Sequence, residues 1–567
     1  MKLVECVPNI SEGRDRKIIE AVADEVRCVE GVELLDVDPG AATNRTVFTF
    51  VGSPEGASEA AFRLIRKAAA LIDMRHHSGE HARNGATDVC PFVPVSEISM
   101  DDCVELARSL GERVGSELGV PVYLYEHAAS RPEWRNLANV RKGEYEALAD
   151  KLGNDEWKPD FGPNEYTDRV ARTGATQIGA RQFLIAYNIN LNTKNDRYAR
   201  RIGLTIRQQG GAVVRDEKGK KVRGPDGKFL KHDKGLFEHC KATGWFIEEY
   251  GVAQVTMNLT DYNVTPPHVV FDKVCELAGE IGVRVIGSEI VGLVPLEAML
   301  QAGRHYLLEQ NASPGVPEED LIEVAVQSMG LDNVTHFDPK QRIVEYCVAN
   351  PRPLVESTVE GFVDELSRDS AAPGGGSVAA LNGALSAGLS GMVANLSVGK
   401  QSIKKKVKQE MRTVADKAQS IKKRLVAAVD DDTFAFNEVM SAFGLPQGTP
   451  GQKETRDAAI MEANKGATLV PLSVLETIPD ALELARAVGE RGNQSSLSDA
   501  GVAVLAARAA AMGAHYNVMI NLAGIEGNDE FVEQTRSRAQ ELIEQVTASC
   551  DELDRYFLDK LTSELDS

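Results

Sequence analysis

The sequence predicts an α+β N-terminal half, built of two ferredoxin-like α/β subdomains, followed by an all-α C-terminal helical bundle. Three observations carry this. Apolar residues alternate between strand and helix spacing in the order β-α-β-β-α-β over residues 3–95. Pieces of the same pattern recur, weakly, between residues 183 and 296. After the Pro-rich stretch at 350–353, strand patterns stop and long helical periodicities take over.

Residues 3–7 form a short strand ending at Pro8-Asn9, and Ser11 caps a helix reaching Cys28. Val32 to Val37 is the second strand, Asp38-Pro39-Gly40 a turn, and Thr46 to Val51, rich in β-branched and aromatic residues, the third strand. A helix over Pro54–Ile72, a loop and an apolar strand over Asp88–Val95 complete the unit. A helix over Met100–Leu118 and a strand over Pro121–Tyr125 extend it. Leu148 to Arg181 lacks apolar periodicity and is rich in Gly, Pro, Asn and Asp, so it reads as a long connection of the functional kind.

Phe183 to Ile189 then resembles Val4 to Ile10, with Asn188 falling where Asn9 fell. Strand Gln254–Leu259 and helix Pro267–Gly279 follow, and Val291–Leu296 resembles Cys90–Val95, which implies two related subdomains with a ligand groove between them. The expected boundaries are 1–180, 181–348, a linker at 349–354, and a helical domain over 355–567. Helices are expected at Val355–Arg368, Ser377–Ser397, Ile403–Phe443, Lys453–Val470, Leu475–Val488, Leu497–Leu522 and Asn528–Leu561. Their abundant Ala, Gly and Ser permit close helix approach.

A formal charge of −21 argues against a nucleic acid or an anionic membrane as main partner. The eight cysteines form no CxxC pair, which points to a reducing cytoplasm, and the first residues read as a strand rather than a signal peptide. Val378–Val398 is interrupted by Asn382, Ser386, Ser390 and Asn395, so a buried helix is expected there and not a membrane span. One segment opposes the acidic balance: Arg215–Lys234 carries Lys218, Lys220, Lys221, Arg223, Lys228, Lys231 and Lys234. A solvated hairpin is the favoured reading, and a basic lip for a polyanionic ligand tail the functional one.

Three stretches carry chemistry. The loop from Arg75 to Pro91 gathers His76, His77 and His81 with Glu80, Arg83 and Asp88, while Gly79 and Gly85 allow sharp turns. A solvated His-rich loop is the bland alternative; no HExxH helix or cysteine pair supports zinc, and no metal is expected. In the long helix, apolar positions step by three and four from Ile403 to Val439 with one gap, and that gap is Asp432, whereas Asp430 and Asp431 turn to other faces. A carboxylate in an apolar stripe is either used in catalysis or spent on a salt bridge or helix cap, and the pattern alone does not choose. The third is Ala371-Ala372-Pro373-Gly374-Gly375-Gly376-Ser377, whose glycines expose N–H groups at a helix start suited to an anion or a polar ring edge. A flexible linker is its alternative.

These pieces resemble the formimidoyltransferase-cyclodeaminase family along essentially the whole chain. The resemblance rests on Leu3-Val4-Glu5-Cys6-Val7-Pro8-Asn9, Thr43-Asn44-Arg45-Thr46-Val47, Gly79-Glu80-His81, Asp160-Phe161-Gly162-Pro163, Val291-Gly292-Leu293-Val294-Pro295, the Gly-rich turn, and Tyr516-Asn517-Val518-Met519-Ile520-Asn521-Leu522. It implies that N-formimidoyl-L-glutamate passes its formimidoyl group to N5 of tetrahydrofolate, a co-substrate, and that the product closes to 5,10-methenyltetrahydrofolate with loss of ammonia, two steps of histidine degradation. It further implies His81 as the transferase catalytic residue with Asp38 as its partner, and Asp432 as the cyclodeaminase acid/base. Folate contacts fall on Gly162, Pro163, Gly174 and Ala175, although the spacing before Gly174 departs from the family pattern. Arg45 and Arg83 are candidate carboxylate clamps, and Gly374, Gly375, Gly376 and Ser377 candidate substrate contacts. Polyglutamylated folate is the tail that the basic segment would meet, and a homo-oligomer through bundle contacts is expected. One silent module, or a folate-binding scaffold, are the alternatives.

Overall fold

The computed structural model describes residues 2–41, 43–79, 83–217, 219–248, 250–348, 352–525 and 528–565. The chain divides into two compact units, Met1–Ala302 with Ala325–Ala349, and Gly303–Val324 with Asn350–Ser567.

The first unit opens with β1 (Leu3–Cys6), β2 (Asn9–Ile10), α1 (Arg16–Arg27), β3 (Val32–Gly40), β4 (Arg45–Gly52), α2 (Pro54–Leu71), β5 (Thr87–Ser96), α3 (Met100–Arg113), β6 (Val122–Glu126) and β7 (Thr176–Ala180). β1 and β2 are one strand interrupted at Pro8, which has no N–H to give, and both lie between β4 and β5. Strand order is therefore β3-β4-β1/β2-β5-β7-β6, antiparallel except for β7, which runs parallel to both neighbours. Helices α1 to α3 cover one face, where Ile65 of α2 and Leu110 of α3 share a core with Phe48, Phe50 and Phe92 of the sheet. Two expectations are corrected here. Asp38-Pro39-Gly40 is not a turn but the end of β3, because β3 is an edge strand where proline costs no ladder bond. The long connection contains β7, whose five residues are all buried and so show no alternation to read.

The second half of this unit has β8 (Ile185–Leu191), α4 (Asp196–Ile206), β9 (Cys240–Ile247), β10 (Val252–Leu259), α5 (Pro267–Glu280) and β11 (Val285–Val291), in the order β11-β8-β10-β9. That is the order β5-β1-β4-β3 repeated, so the recurrence seen in sequence is a recurrence of topology. The fourth strand is Val285–Val291, however, and Val291–Leu296, expected to match Cys90–Val95, instead leads into a helix. Helix α4 sits on β9 through glycines: a Cβ on Gly244 would lie 2.1 Å from the Arg200 nitrogen, and one on Gly203 2.7 Å from the Thr243 carbonyl. The basic segment folds into exposed short pairings, Val213 with Lys231, Arg215 with Lys221 and Arg223 with Phe229. Lys218 lies outside the described residues.

The second unit takes in the end of α6 (Leu296–Glu309) and the start of α7 (Glu318–Met329), then α8 (Val359–Leu366), α9 (Gly375–Gly399), α10 (Lys405–Phe443), α11 (Pro450–Arg491), α12 (Leu497–Leu522) and α13 (Asp529–Leu565). Its core is Ala-rich and closely packed, with Leu475, Ile478, Val504 and Val518 fully buried. The two helices expected over 453–488 are one, although Pro471 and Pro479 lie inside it. Pro471 leaves the Ala467 carbonyl without its helical donor, and Asn521 Nδ2 of α12 donates to that oxygen at 2.8 Å. Segment 303–324 joins this unit by backbone approach: a Cβ on Gly315 would stand 2.4 Å from that of Ala415, and the Gly315 carbonyl accepts from Asn395 Nδ2 at 2.7 Å and Gln419 Nε2 at 3.2 Å. Gly375–Gly399 and Gln494–Leu522 are long and apolar enough to cross a membrane by composition, and 61% and 44% of their most apolar windows are buried within the structure.

The Gly244 contact gives a stability prediction. Gly244→Ala forces α4 off β9 and costs about 2–3 kcal/mol, read as a lower urea midpoint for the α/β unit.

Candidate functional site

In the first unit the histidine loop is held from several directions. Asn44 adopts φ +48°, a left-handed conformation that asparagine tolerates. From there its Oδ1 accepts from Gly13 N at 3.0 Å and its Nδ2 donates to Ser78 O at 3.0 Å. His77, half-buried, has Nε2 2.9 Å from Asn44 O, and its Nδ1 receives Arg83 Nε at 3.2 Å. Since a guanidinium only donates, Nδ1 is the acceptor and the ring proton sits on Nε2, aimed at Asn44 O. Burial, with Arg83 beside it, pulls the His77 pKa below its ordinary value, against the Asn44 bond. His77 is thus a neutral structural strut, and His76 is exposed. Glu80 and His81 lie outside the described residues.

Arg83, expected as a clamp for substrate carboxylate, is already taken: it pairs with Glu144 at 3.1 Å and Glu146 at 2.7 Å, its side chain only 11% exposed. Two acidic groups within the fold occupy the fork that a substrate would need. Arg45 is the first residue of β4. It is half-buried, and its pKa is lowered chiefly by burial and then by Arg141, with Asp88 and Asp38 pulling the other way. Asp38 is exposed on β3, across Val47 from Asn9.

Asp88 is the group that sequence reasoning underrated. Asn9 pairs with Val89 and Ile10 with Thr87, so Asp88 is the extra residue of a β-bulge that re-aims its side chain. Its carboxylate, 1% exposed, forms an ion pair with Arg141 and accepts from Asn84 N at 2.9 Å. Gln177 of β7, its amide oriented to suit its neighbours, donates to Asp88 O at 2.7 Å and accepts from Asn84 Nδ2 at 3.0 Å. Gly174 and Ala175 meet this corner: a Cβ on Gly174, at φ +67°, would lie 2.2 Å from Asn84 O, to which Ala175 N donates at 3.0 Å. Gly162 and Pro163 sit elsewhere, at the start of β6, where a Gly162 Cβ would strike Val120 O at 2.4 Å. Glu5 on β1 is buried, and that burial, eased by Arg181, pushes its carboxyl up to about 7. The second sheet carries an amide row instead of histidines, Trp245 Nε1 to Gln254 Oε1 at 2.9 Å and Gln254 Nε2 to Asn190 Oδ1 at 3.0 Å.

In the helical unit, α9 starts at Gly374, which has no side chain to cap it. Asp432 of α10 supplies the cap: its Oδ2 accepts from Ser377 N at 2.9 Å and from Ser377 Oγ at 3.3 Å. A Cβ on Gly376 would lie 2.0 Å from Asp432 Oδ1, so glycine there is a condition of the contact. Asn517 of α12 flanks the same turn, its Nδ2 3.2 Å from where a Gly375 Cβ would be. Burial raises the Asp432 pKa, and both Ser377 bonds oppose that rise. The expected placement of its neighbour is corrected: Asp430 is the most buried of the three at 1% exposure, because it accepts from Leu354 N at 3.0 Å and Val355 N at 3.2 Å. Its role is structural. Asp432 is half-exposed beside the glycine turn.

An α/β unit of duplicated topology and a helical unit with a half-buried carboxylate beside a glycine turn make a two-module architecture suited to group transfer. Residues 3–181 match the model of the formiminotransferase domain, N-terminal subdomain, 186–349 that of the formiminotransferase domain, and 358–541 that of formiminotransferase-cyclodeaminase. The chain belongs to the formimidoyltransferase-cyclodeaminase family. It is 42% identical over 547 residues to the formimidoyltransferase-cyclodeaminase of Rattus norvegicus, covering 96% of each chain. Its first half is 43% identical over 309 residues to a glutamate formimidoyltransferase of Thermoplasma acidophilum, 54% of this chain and 93% of that one. A further 169 residues are 41% identical to a methenyltetrahydrofolate cyclohydrolase of Methylorubrum extorquens, 30% of this chain and 81% of that one.

The His77 strut titrates. Its folded pKa lies below the unperturbed 6.5, so its contribution is complete above that value and is lost as pH falls through the folded pKa. The protection of the Asn44 and Ser78 amides, taken relative to intrinsic exchange at each pH, should fall at acid pH in the native protein, and that fall should vanish in His77→Gln.

Proposed function

We propose that this chain carries out two consecutive folate reactions: formimidoyl transfer from N-formimidoyl-L-glutamate to N5 of tetrahydrofolate, then cyclisation of 5-formimidoyltetrahydrofolate to 5,10-methenyltetrahydrofolate with release of ammonia. Family membership over both halves supports the pair of activities, and the half-buried Asp432 carboxylate at the α9 start is the observation that carries the second.

In the first step N5 attacks the amidine carbon and must shed a proton, while the glutamate nitrogen must gain one to leave. His81 serves both transfers, as an imidazole can, with Asp38 as its partner and Arg45 as a clamp for a substrate carboxylate. In the second, N10 attacks the same carbon; Asp432 takes the N10 proton and returns one to the amino group, which leaves as ammonia. A carboxyl held above its ordinary pKa by burial suits this two-way traffic. Glycines 374–376 keep side chains away from the carboxylate and leave first-turn N–H groups of α9 for polar atoms of the substrate. Lysines of 215–234 supply positive charge for the carboxylates of a polyglutamylated tail.

We further propose a cytoplasmic homo-oligomer serving histidine breakdown. The supporting feature is a stripe on α12, where Val502, Leu505, Tyr516 and Ile520 are 52–69% exposed at helical spacing. A second copy covers that stripe more readily than a lipid surface does, given the net charge of −21.

Two experiments test this. His81→Ala should lower formimidoyl transfer and Asp432→Ala cyclisation, each by roughly 10²–10⁴-fold and each sparing the other reaction; a chain releasing no ammonia in either assay refutes the enzyme reading. Ile520→Glu with Leu505→Glu should reduce the particle mass in light scattering, and an unchanged mass removes the stripe as the interface.

A further inference from the structure

The Asp432 carboxylate is held unevenly. Its Oδ2 faces two donors, the Ser377 N–H at 2.9 Å and the Ser377 hydroxyl at 3.3 Å. Its Oδ1 accepts no hydrogen bond among the described residues and lies over Gly376, where a Cβ would stand 2.0 Å away. The Ser377 hydroxyl is itself divided. Fully buried, it also reaches Val429 O at 2.8 Å and Thr433 Oγ1 at 3.4 Å. A hydroxyl has one proton to donate, so it can serve Val429 O or Asp432 Oδ2 but not both fully. Charge decides between them, because a bond to an ionised acceptor is about twice as strong as one to a neutral carbonyl.

We propose that Ser377 is the positioning residue of the cyclisation site: its N–H pins Oδ2, its hydroxyl swings between Val429 O and Oδ2, and Oδ1 alone exchanges the proton with substrate. This rests on the cyclodeaminase reading above. In the ionised enzyme the hydroxyl turns to Oδ2 and stabilises the base. When N10 bonds to the amidine carbon, its proton passes to Oδ1 and the hydroxyl returns to Val429 O. The same proton then leaves Oδ1 for the amino nitrogen, the carbon–nitrogen bond to ammonia breaks, and the hydroxyl turns back. No proton is gained or lost by the protein over the cycle. Helix α9 remains capped throughout, since the Ser377 N–H bond to Oδ2 persists in both protonation states. Ser377, expected from sequence to touch substrate, is thereby turned inward.

The test uses the full chain. In Ser377→Ala the carboxylate loses its hydroxyl donor, so the ionised form is less favoured, and the acid limb of cyclodeaminase kcat should move to higher pH. At neutral pH kcat should fall about tenfold, the value of one charge-assisted hydrogen bond, with KM and formimidoyl transfer little changed. Gly376→Ala, which pushes Oδ1 aside, should abolish cyclisation while leaving transfer intact. A uniform fall in kcat with an unmoved limb shows a merely structural serine and overturns the proposal; so does a raised KM with an unmoved limb, which returns Ser377 to substrate contact. Carbodiimide labelling of Asp432 against pH, read by peptide mass spectrometry, needs no turnover. Its midpoint should rise in Ser377→Ala, and an unchanged midpoint overturns the proposal even if the native chain proves to have no cyclodeaminase activity, which would refute the parent reading instead.

Discussion

A carboxylate taken out of water costs several kcal/mol unless donors meet it, and three aspartates shape this chain through that demand. Asp88 draws Arg141 and the Asn84 amide onto the start of β5, which fixes where the histidine loop ends. Asp430 draws two backbone amides, Leu354 and Val355, onto α10 and so anchors the chain as it enters the bundle. Asp432 draws the first turn of α9. Two of the three are consumed by the donors they attract. Asp432 differs only in that its donors all reach one oxygen.

The duplicated subdomains show how one topology was specialised unequally. In the first copy, Pro8 breaks the opening strand, a bulge re-aims Asp88, and β7 adds a parallel strand beside it. Each irregularity lies on β5 or on a strand paired with it. In the second copy β8 is unbroken from Ile185 to Leu191, and the corresponding face carries Gln254 between Trp245 and Asn190, hydrogen-bonded to both. The second sheet has its own register shift, but at its β11 edge, between Val285 and Gly287, and not on its opening strand.

Much of this was legible in the sequence where a period is simple. The alternating strands and the apolar helices announced both fold classes, and the single gap at Asp432 stood out in an otherwise regular stripe. Buried exceptions defeated the reading. Thr176–Ala180 is a strand without alternation because both its faces are covered. Pro471 reads as a helix break until Asn521, fifty residues on, is seen to satisfy the carbonyl it frees. Asp430 reads as turned away from the apolar stripe because its partners are backbone amides, which have no letter in a sequence. Arg83 reads as a clamp because Glu144 and Glu146, which occupy it, lie some sixty residues away. Long-range polar pairing is the common element in these misses.

The segment Gly303–Val324 precedes the Pro-rich linker, yet it packs with the helical unit through Gly315 and the amides of Asn395 and Gln419. Sequence modularity and physical modularity therefore part company over these residues. A severed protein divided at the linker would carry away a helical corner fitted to a partner it no longer has. Its counterpart would show a bare glycine-shaped socket on α10. No single cut along this polypeptide separates the two units, because Ala325–Ala349, downstream of that segment, belongs again to the α/β unit.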